Sequence, residues 1–320
     1  MKRPLSILIA AVLFLPWLAL HAQPYPSRPI RFVLSFGPGS ASDALARIAG
    51  QELTQSLGQP IVVLPKPGGD GAVSALEVKR ATADGYTFLF GTNSALAVVP
   101  NIRKEPPYDV MKDFTPVTYL GDNTFFVVVH PSVPAKSIAE LIAHAKSNPK
   151  AINYAAGNTY AIVATSLFAV KNGVSMLMVP YKSEPDAVVD LLSGRIQMMF
   201  STNTIAAPHV KEGRLRVLAT TLPERSPLMP DVPSFPEVGQ GKFPIGPWFA
   251  LVGPAGLPRE IVARMNKEMV AVLAKPAVKE LMLRHGFMAK SSTPEALTAY
   301  MKEQLEIWKS ALKTAGLEPQ

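Results

Sequence analysis

The sequence predicts an α/β fold of two lobes, each a mainly parallel sheet flanked by helices. Apolar strand-like runs alternate with helical patterns along the chain, and this alternation is typical of parallel sheets with crossover helices. The 320 residues suggest two domains, at roughly 150 residues per domain. An apolar share of 48% excludes a wholly disordered chain, because each lobe then has enough apolar surface to form a core.

In the first half, predicted strands end in loops of small residues. Residues 30–36 lead into the loop 37–43, which has the sequence Gly-Pro-Gly-Ser-Ala-Ser-Asp. A helical pattern follows and stops at Gly58, because glycine is the usual residue just past a helix end. Two further strand and loop pairs are predicted at 61–64 with 67–71 and at 86–90 with 91–94.

The second half restarts this pattern and ends in helices. Ser137, with Glu140 three residues later, forms a capping box that starts a helix. Predicted strands lie at 125–130, 152–156, 177–181, 196–200, 216–220 and 248–252. Predicted C-terminal helices lie at 258–275, 276–285 and 294–315.

The N-terminus has the pattern of a secretory signal peptide over residues 1–22. Lys2 and Arg3 precede an apolar run at 5–20, and Ala22 is the small residue at the expected cut. The run is too short for a comfortable membrane span, so a retained N-terminal anchor is the weaker alternative. We therefore expect an exported protein without a lipid anchor, and removal of two positive charges lowers the net charge from +8 to +6.

Charge and cysteine content exclude several classes of function. The basic residues are scattered rather than grouped in blocks, so nucleic acid is not an expected partner. With no cysteine, the chain has no disulfide, no thiolate nucleophile and no cysteine-ligated metal. The remaining positive charge gives at most a mild field that favours anionic ligands.

No motif points to catalysis, so we expect a protein that is not an enzyme and has no cofactor and no metal site. Beyond His21, the four histidines lie too far apart in sequence for a local metal pair. The chain has no Gly-x-Ser-x-Gly elbow, no Gly-x-Gly-x-x-Gly loop and no phosphate loop ending in Gly-Lys-Ser/Thr. An exported serine hydrolase assembled from distant residues stays open as an unfavoured alternative.

The loops at the strand ends are the predicted binding site. In parallel sheets, ligands bind beyond the carboxyl ends of the strands. Glycine, short hydroxyl and amide side chains, and helix N-termini offer many hydrogen-bond donors there, which suits a carboxylate or another small oxyanion. Loops 37–43 and 157–160 matter most, because each leads into a helix and each lies in a different half. Other strand-end candidates are Thr92, Asn93 and Ser201.

Seven segments in order resemble one known family, the solute receptors of tripartite tricarboxylate transporters, called the Bug or TctC family. They span almost the whole chain after the predicted signal peptide. They are YPSRPIRFVLSFGPGSASDALAR from Tyr25, LGQPIVVLPKPGGDGAVSA from Leu57, ADGYTFLFGTNS from Ala83, PPYDVMKDFTPVTYL from Pro106, VPYKSEPDAVVDLLSGRIQMMF from Val179, GRLRVLATTLPERSPLMPDVPSFPEVG from Gly213 and WFALVGPAGLP from Trp248.

The resemblance implies a two-lobed periplasmic binding protein of type II-like architecture with a ligand cleft between the lobes. Residues 23–123 plus about 244–276 would form the first lobe, and residues 124–243 plus about 277–320 the second. Such receptors deliver small organic carboxylates to integral membrane permease subunits, and we expect a monomer. A periplasmic sensor that presents the bound carboxylate to a signalling membrane protein is the alternative.

Mapped onto this chain, the resemblance places the ligand carboxylate at loops 36–43 and 155–160. Asp43 matches the family's aspartate after the first loop, and it also fits the pattern of a helix N-cap. Together with the strand-end candidates, the predicted ligand-binding residues are Phe36, Gly39, Ser40, Ala41, Asp43, Thr92, Asn93, Ala156, Gly157, Asn158, Thr159, Tyr160 and Ser201.

Four departures from the family pattern fall in or near these loops. Ser40, Pro65 and Ser183 replace a usual glycine, asparagine and glycine, and Ile162 stands where a histidine is often found. Fewer polar groups then line the site, although Ser40 adds a hydroxyl. We therefore predict that the ligand is a bulkier or aromatic carboxylate rather than a small polar diacid.

Overall fold

The computed structural model describes residues 25–149, 151–317 and 319. Eleven strands lie in these ranges: β1 (Ile30–Leu34), β2 (Ile61–Pro65), β3 (Thr87–Thr92), β4 (Phe114–Asn123), β5 (Phe125–Val129), β6 (Asn153–Ala156), β7 (Leu177–Pro180), β8 (Met198–Thr202), β9 (Arg216–Thr220), β10 (Trp248–Pro254) and β11 (Phe287–Ala289). The predicted signal peptide, residues 1–22, lies outside the described residues.

Eleven α-helices accompany these strands within the same described ranges. They are α1 (Ala41–Leu57), α2 (Ala72–Lys79), α3 (Val99–Ile102), α4 (Val110–Asp113), α5 (Ile138–Ser147), α6 (Thr159–Asn172), α7 (Glu184–Leu192), α8 (Asn203–Lys211), α9 (Arg259–Ala274), α10 (Pro276–Arg284) and α11 (Pro294–Thr314). A 3-10 turn at Gly69–Gly71 and a π-helical turn at Ser94–Val98 precede α2 and α3. No helix of the described chain has the length and apolar character needed to cross a membrane.

The strands form two sheets, and both are mixed rather than mainly parallel. The first sheet has the order β11-β4-β10-β3-β1-β2, and the second has the order β7-β6-β8-β5-β9. Helices α1 and α2 connect parallel strands in the first sheet, as the alternating pattern predicts, but β4, β10 and β11 pair antiparallel. In the second sheet, β6 pairs parallel with β7 and β8, whereas β5 pairs antiparallel with β8 and β9.

Two of the antiparallel strands, β5 and β10, begin where the chain passes between the sheets. Thr124 alone separates β4 of the first sheet from β5 of the second, and Pro247 precedes the return into β10. A strand entered by such a direct crossing has no crossover helix to fix a parallel direction. The two crossings lie side by side, because Asn123 N donates to Pro247 O at 2.9 Å.

The C-terminal segment differs from the predicted lobe boundaries, which placed residues 277–320 with the second lobe. Strand β11 pairs with β4 of the first sheet, and α10 packs on α1 and α9. Buried Phe287 drives this placement, since its ring stacks edge-on against Phe249 of β10 at 5.3 Å. Helix α11 contacts both β4 and α6, so it bridges the two lobes.

Buried side chains of the described residues fall into three apolar clusters. One lies between the first sheet and helices α1, α9 and α10, and another between the second sheet and helices α7 and α8. The third runs through both lobes and includes Trp308 of α11, Tyr160 of α6 and Val33 of β1. One face of α11, formed by Leu297, Met301, Trp308 and Leu312, is therefore part of the core.

Candidate functional site

A cleft of about 780 Å³ lies between the two sheets, and loops from both lobes line it. The volume falls within the range of ligand-binding pockets, roughly 300–1,000 Å³. Nine of the predicted site residues lie in its wall: Phe36, Ser40, Ala41, Thr92, Asn93, Ala156, Gly157, Asn158 and Tyr160.

Four predicted residues do not line the cleft, because each serves a neighbouring contact. Gly39 is exposed and turns the chain with a φ of +79°. Asp43 is buried behind the first loop, Thr159 hydrogen-bonds to Asp70, and Ser201 hydrogen-bonds to Glu184. These four support the wall rather than form it.

The first loop is closed by a small network around the start of α1. Ser40, not Asp43, is the N-cap: its Oγ accepts from Asp43 N at 3.3 Å and donates to Gly37 O at 2.8 Å. The Asp43 carboxylate accepts from Gly39 N at 3.2 Å and from Arg47 Nε at 3.0 Å. Asp43 therefore holds the loop against its own helix.

The second loop repeats the capping arrangement at the start of α6. Asn158 is the N-cap, and its Oδ1 accepts from Ala161 N at 2.9 Å. Gly157 lies against the backbone that starts α7, where an added Cβ would come within 2.5 Å of Ser183 C and 2.6 Å of Glu184 Cα. Only glycine fits at this position without a shift of that backbone.

Two helix N-termini therefore meet the same cleft from opposite lobes. The first N–H groups of a helix have no carbonyl partner inside it. After Ser40 and Asn158 satisfy one N–H each, three cleft-lining residues have N–H groups without an intrahelical acceptor, namely Ala41 and Ser42 in α1 and Tyr160 in α6. These groups and the helix dipoles favour a negatively charged ligand group.

Two buried polar side chains in the cleft wall have no hydrogen-bond partner within the described chain. Thr92 is 2% exposed and its Oγ1 is unpartnered, and Asn93 is 4% exposed with an unpartnered Nδ2. A buried donor or acceptor without a hydrogen bond costs about 1–3 kcal/mol of folding free energy. A bound ligand or water in the cleft would recover this cost, which makes both side chains candidate ligand contacts.

The loop 67–71 also lines the cleft, although the sequence reasoning left it out of the site. Gly68, Gly69, Asp70 and Gly71 all have positive φ, and Asp70, at +59°, is the only non-glycine of this kind among the described residues. The Asp70 carboxylate reaches the other lobe, where Thr159 Oγ1 donates to Asp70 Oδ1 at 2.6 Å. The Gly-Gly-Asp-Gly sequence at 68–71 was the signal in the sequence that could have identified this loop as part of the cleft wall.

Glu184 is a second cleft residue that the sequence reasoning missed. Its carboxylate accepts from Ser201 Oγ at 2.8 Å, from Thr202 N at 2.5 Å and from Thr202 Oγ1 at 3.1 Å. Burial raises the pKa of Glu184, and these hydrogen bonds lower it by less. A glutamate at the first position of a helix looks like an ordinary solvent-facing residue in sequence, so only the fold identifies it as part of the wall.

Much of the remaining wall is apolar or aromatic. Phe36 and Phe249 come from the first lobe, and Ile162, Tyr181 and Ile205 come from the second lobe. The Tyr160 ring packs against Phe125 at 4.5 Å, and its hydroxyl donates to Thr221 Oγ1 at 3.2 Å. Among the described residues that line the cleft, none is histidine, and no cluster in residues 25–149 or 151–317 has a metal-ligand composition.

A comparison with known protein families matches residues 45–317 to the family described as "Tripartite tricarboxylate transporter family receptor". Among curated proteins, the chain is 33% identical over 300 residues to Protein BugT of Bordetella pertussis, which covers 93% of this chain and 92% of BugT. The family match begins just after the first cleft loop and includes the second.

Solved structures of similar sequence share the two-lobed fold. Rpa4515 of R. palustris, solved with adipate, is 29% identical with a TM-score of 0.88, and the match covers 92% of this chain and all of that chain. MatC of Rhodopseudomonas palustris, solved with bound malate, is 26% identical with a TM-score of 0.81, covering 90% and 100%. The periplasmic binding protein fold predicted from the family resemblance is thus confirmed.

Proposed function

Since the chain belongs to the tripartite tricarboxylate transporter receptor family, we propose that it captures an organic carboxylate outside the cytoplasm and delivers it to a membrane permease of that transporter type. The paired helix N-termini in the cleft support a carboxylate ligand. Two similar proteins, solved with adipate and with malate, support the same ligand class.

Binding in this proposal needs no covalent chemistry. The ligand carboxylate accepts from the free N–H groups at the starts of α1 and α6, one helix from each lobe. A ligand held from both sides favours the closed arrangement of the lobes over an open one. The adjacent crossings at Thr124 and Pro247 are the positions where the lobes would hinge.

One observation carries the proposal, namely the unpartnered Thr92 Oγ1 and Asn93 Nδ2 in the cleft wall. Native proteins pair almost all buried polar groups, and unpaired ones call for a ligand, an ion or water. Both groups donate hydrogen bonds, as a carboxylate requires. Their position beside the start of the π-helical turn fits a ligand site, because such turns occur often at functional sites.

The first experiment is a thermal-shift screen of the mature chain with a panel of carboxylates, followed by calorimetric titration of each hit. A ligand at 100 times its Kd adds about 2.7 kcal/mol to the free energy of unfolding. We expect Thr92→Val and Asn93→Leu to weaken carboxylate binding about tenfold or more without lowering the stability of the unliganded protein. Thr298→Val, at an exposed site on α11, is the matched control. A panel in which no carboxylate raises Tm would contradict the proposal.

Delivery and export need tests in the cell. The N-terminal sequence of the exported protein should begin after Ala22, and deletion of the gene should abolish uptake of the identified ligand. Intact uptake with lost induction of uptake genes would contradict delivery and favour the sensor alternative. Turnover of an ester or amide panel would contradict a purely binding role.

A further inference from the structure

We propose that the cleft selects organic acids with one carboxylate and a bulky apolar body, and discriminates against dicarboxylates. This inference rests on the proposed function, because it concerns the ligand of the same cleft. It departs from two similar proteins, which were solved with the dicarboxylates adipate and malate. The charges and the apolar surface of the cleft wall carry it.

The first step is the sign of the charges in the wall. Two carboxyl groups, Asp70 and Glu184, lie in the lining, against a single cationic side chain, Lys182. The described lining contains no arginine, so the bidentate grip that proteins often use for a carboxylate is not available there. The wall therefore carries one more negative charge than positive when both carboxyl groups are ionised.

The second step is what surrounds the two carboxyl groups. Asp70 accepts from the Thr159 hydroxyl, and Glu184 accepts from Ser201 and Thr202. Hydroxyl and amide donors share the negative charge without cancelling it. Lys182, in contrast, is exposed to solvent, where water screens its attraction for a buried anion.

The third step follows from the positions of donors and acids. One ligand carboxylate is satisfied by the uncharged donors at the two helix N-termini. A second carboxylate on the same ligand would have to lose its hydration in a cleft with excess negative charge, and like charges at short range are unfavourable. An uncharged apolar body instead packs against Phe36, Phe249 and Ile162, where burial of apolar surface favours binding.

The test compares three probes by calorimetric titration of the mature chain at mildly alkaline pH. Hexanoate and adipate have the same chain length and differ by the second carboxylate, and 3-phenylpropionate adds aromatic bulk to a monocarboxylate. We expect 3-phenylpropionate to bind most tightly and adipate to bind about tenfold or more weakly than hexanoate, which corresponds to about 1.4 kcal/mol.

Glu184→Gln separates the charge from the shape of the wall. Glutamine keeps an oxygen that accepts from Ser201 and Thr202, so the variant should fold. We expect the ratio of the adipate and hexanoate Kd values to fall about fivefold or more, while Glu306→Gln, at an exposed position on α11, leaves the ratio unchanged. If Glu184→Gln does not fold, Asp70→Asn provides the same comparison.

The outcomes separate this inference from the proposed function. Adipate binding as tightly as hexanoate, or tighter, overturns the selectivity and leaves the carboxylate receptor standing. Phenylalanine binding more tightly than 3-phenylpropionate also overturns it, since the carboxylates of Asp70 and Glu184 would then bind the ammonium group of the ligand. Failure of all three acids to bind, together with a carboxylate panel that gives no thermal shift, overturns both.

Discussion

The two loops that face each other across the cleft have the same local design and different surroundings. Ser40 caps α1 and Asn158 caps α6, each by accepting from the N–H three residues later. Beside these caps, Gly39 has open space where a Cβ would stand, whereas Gly157 is pressed against the backbone of Ser183 and Glu184. The first loop therefore has space for a side chain at Gly39, whereas the second loop has none at Gly157.

The comparison separates two requirements of the cleft: donor groups, which depend on local sequence, and their position, which depends on tertiary contact. Free N–H groups at a helix start need only a cap and a first turn. Their position relative to the other lobe needs a loop that cannot move. In this protein the second loop is packed tightly against α7, whereas the first loop has open space beside Gly39.

We expect the largest loss of stability when the glycine of the second loop is replaced, and a smaller loss at the glycine of the first. Gly157→Ala should lower the free energy of unfolding by about 3 kcal/mol, since overpacking against backbone cannot be relieved by side-chain rotation. Gly39→Ala should cost only about 1 kcal/mol, the penalty for a left-handed backbone in open space. Urea denaturation of both variants measures the two losses, and equal losses would mean that the packing of Gly157 is not the constraint.

A smaller loss of stability is expected when either N-cap, Ser40 or Asn158, is replaced. Ser40→Ala and Asn158→Ala should each cost about 1 kcal/mol, because each removes the acceptor of one orphan N–H. Ser40→Thr and Asn158→Asp keep that acceptor and should restore most of the stability. Denaturant midpoints of the four variants check this, and a much larger loss at Asn158 alone would show that the two caps are not equivalent.

An effect of similar size, on binding rather than on stability, concerns the hydrogen bond that joins the lobes. Thr159→Val removes the donor to Asp70 and should weaken carboxylate binding about fivefold, the equivalent of about 1 kcal/mol for one hydrogen bond. Thr159→Ser keeps the hydroxyl and should bind as the parent chain does. Calorimetric titration with the acid that binds most tightly measures the Kd of both variants. Unchanged affinity in Thr159→Val would mean that this contact does not contribute to closure.

Nine of the thirteen predicted site residues line the cleft, but sequence reasoning identified neither Asp70 and Glu184 in its wall nor the return of β11 to the first sheet. Strand-end loops of small residues identified nine wall residues, because such loops reliably lie at the carboxyl edge of a sheet. Glu184 was missed because only the packing of α7 against β8 encloses it. Strands β4 and β11 were missed as well, since Pro116 and Gly121 interrupt the pattern of β4 and β11 has three residues.

The sequence alone determined the two-lobed α/β fold, the family resemblance and the loops that hold the cleft donors, because these depend on periodicity and on local capping chemistry. Tertiary structure alone decided that both sheets are mixed and that β11 returns to the first sheet. It also decided that Asp70 and Glu184 lie in the wall of the cleft. Those features depend on contacts between residues far apart in the chain, where pairing and burial override what any local pattern indicates.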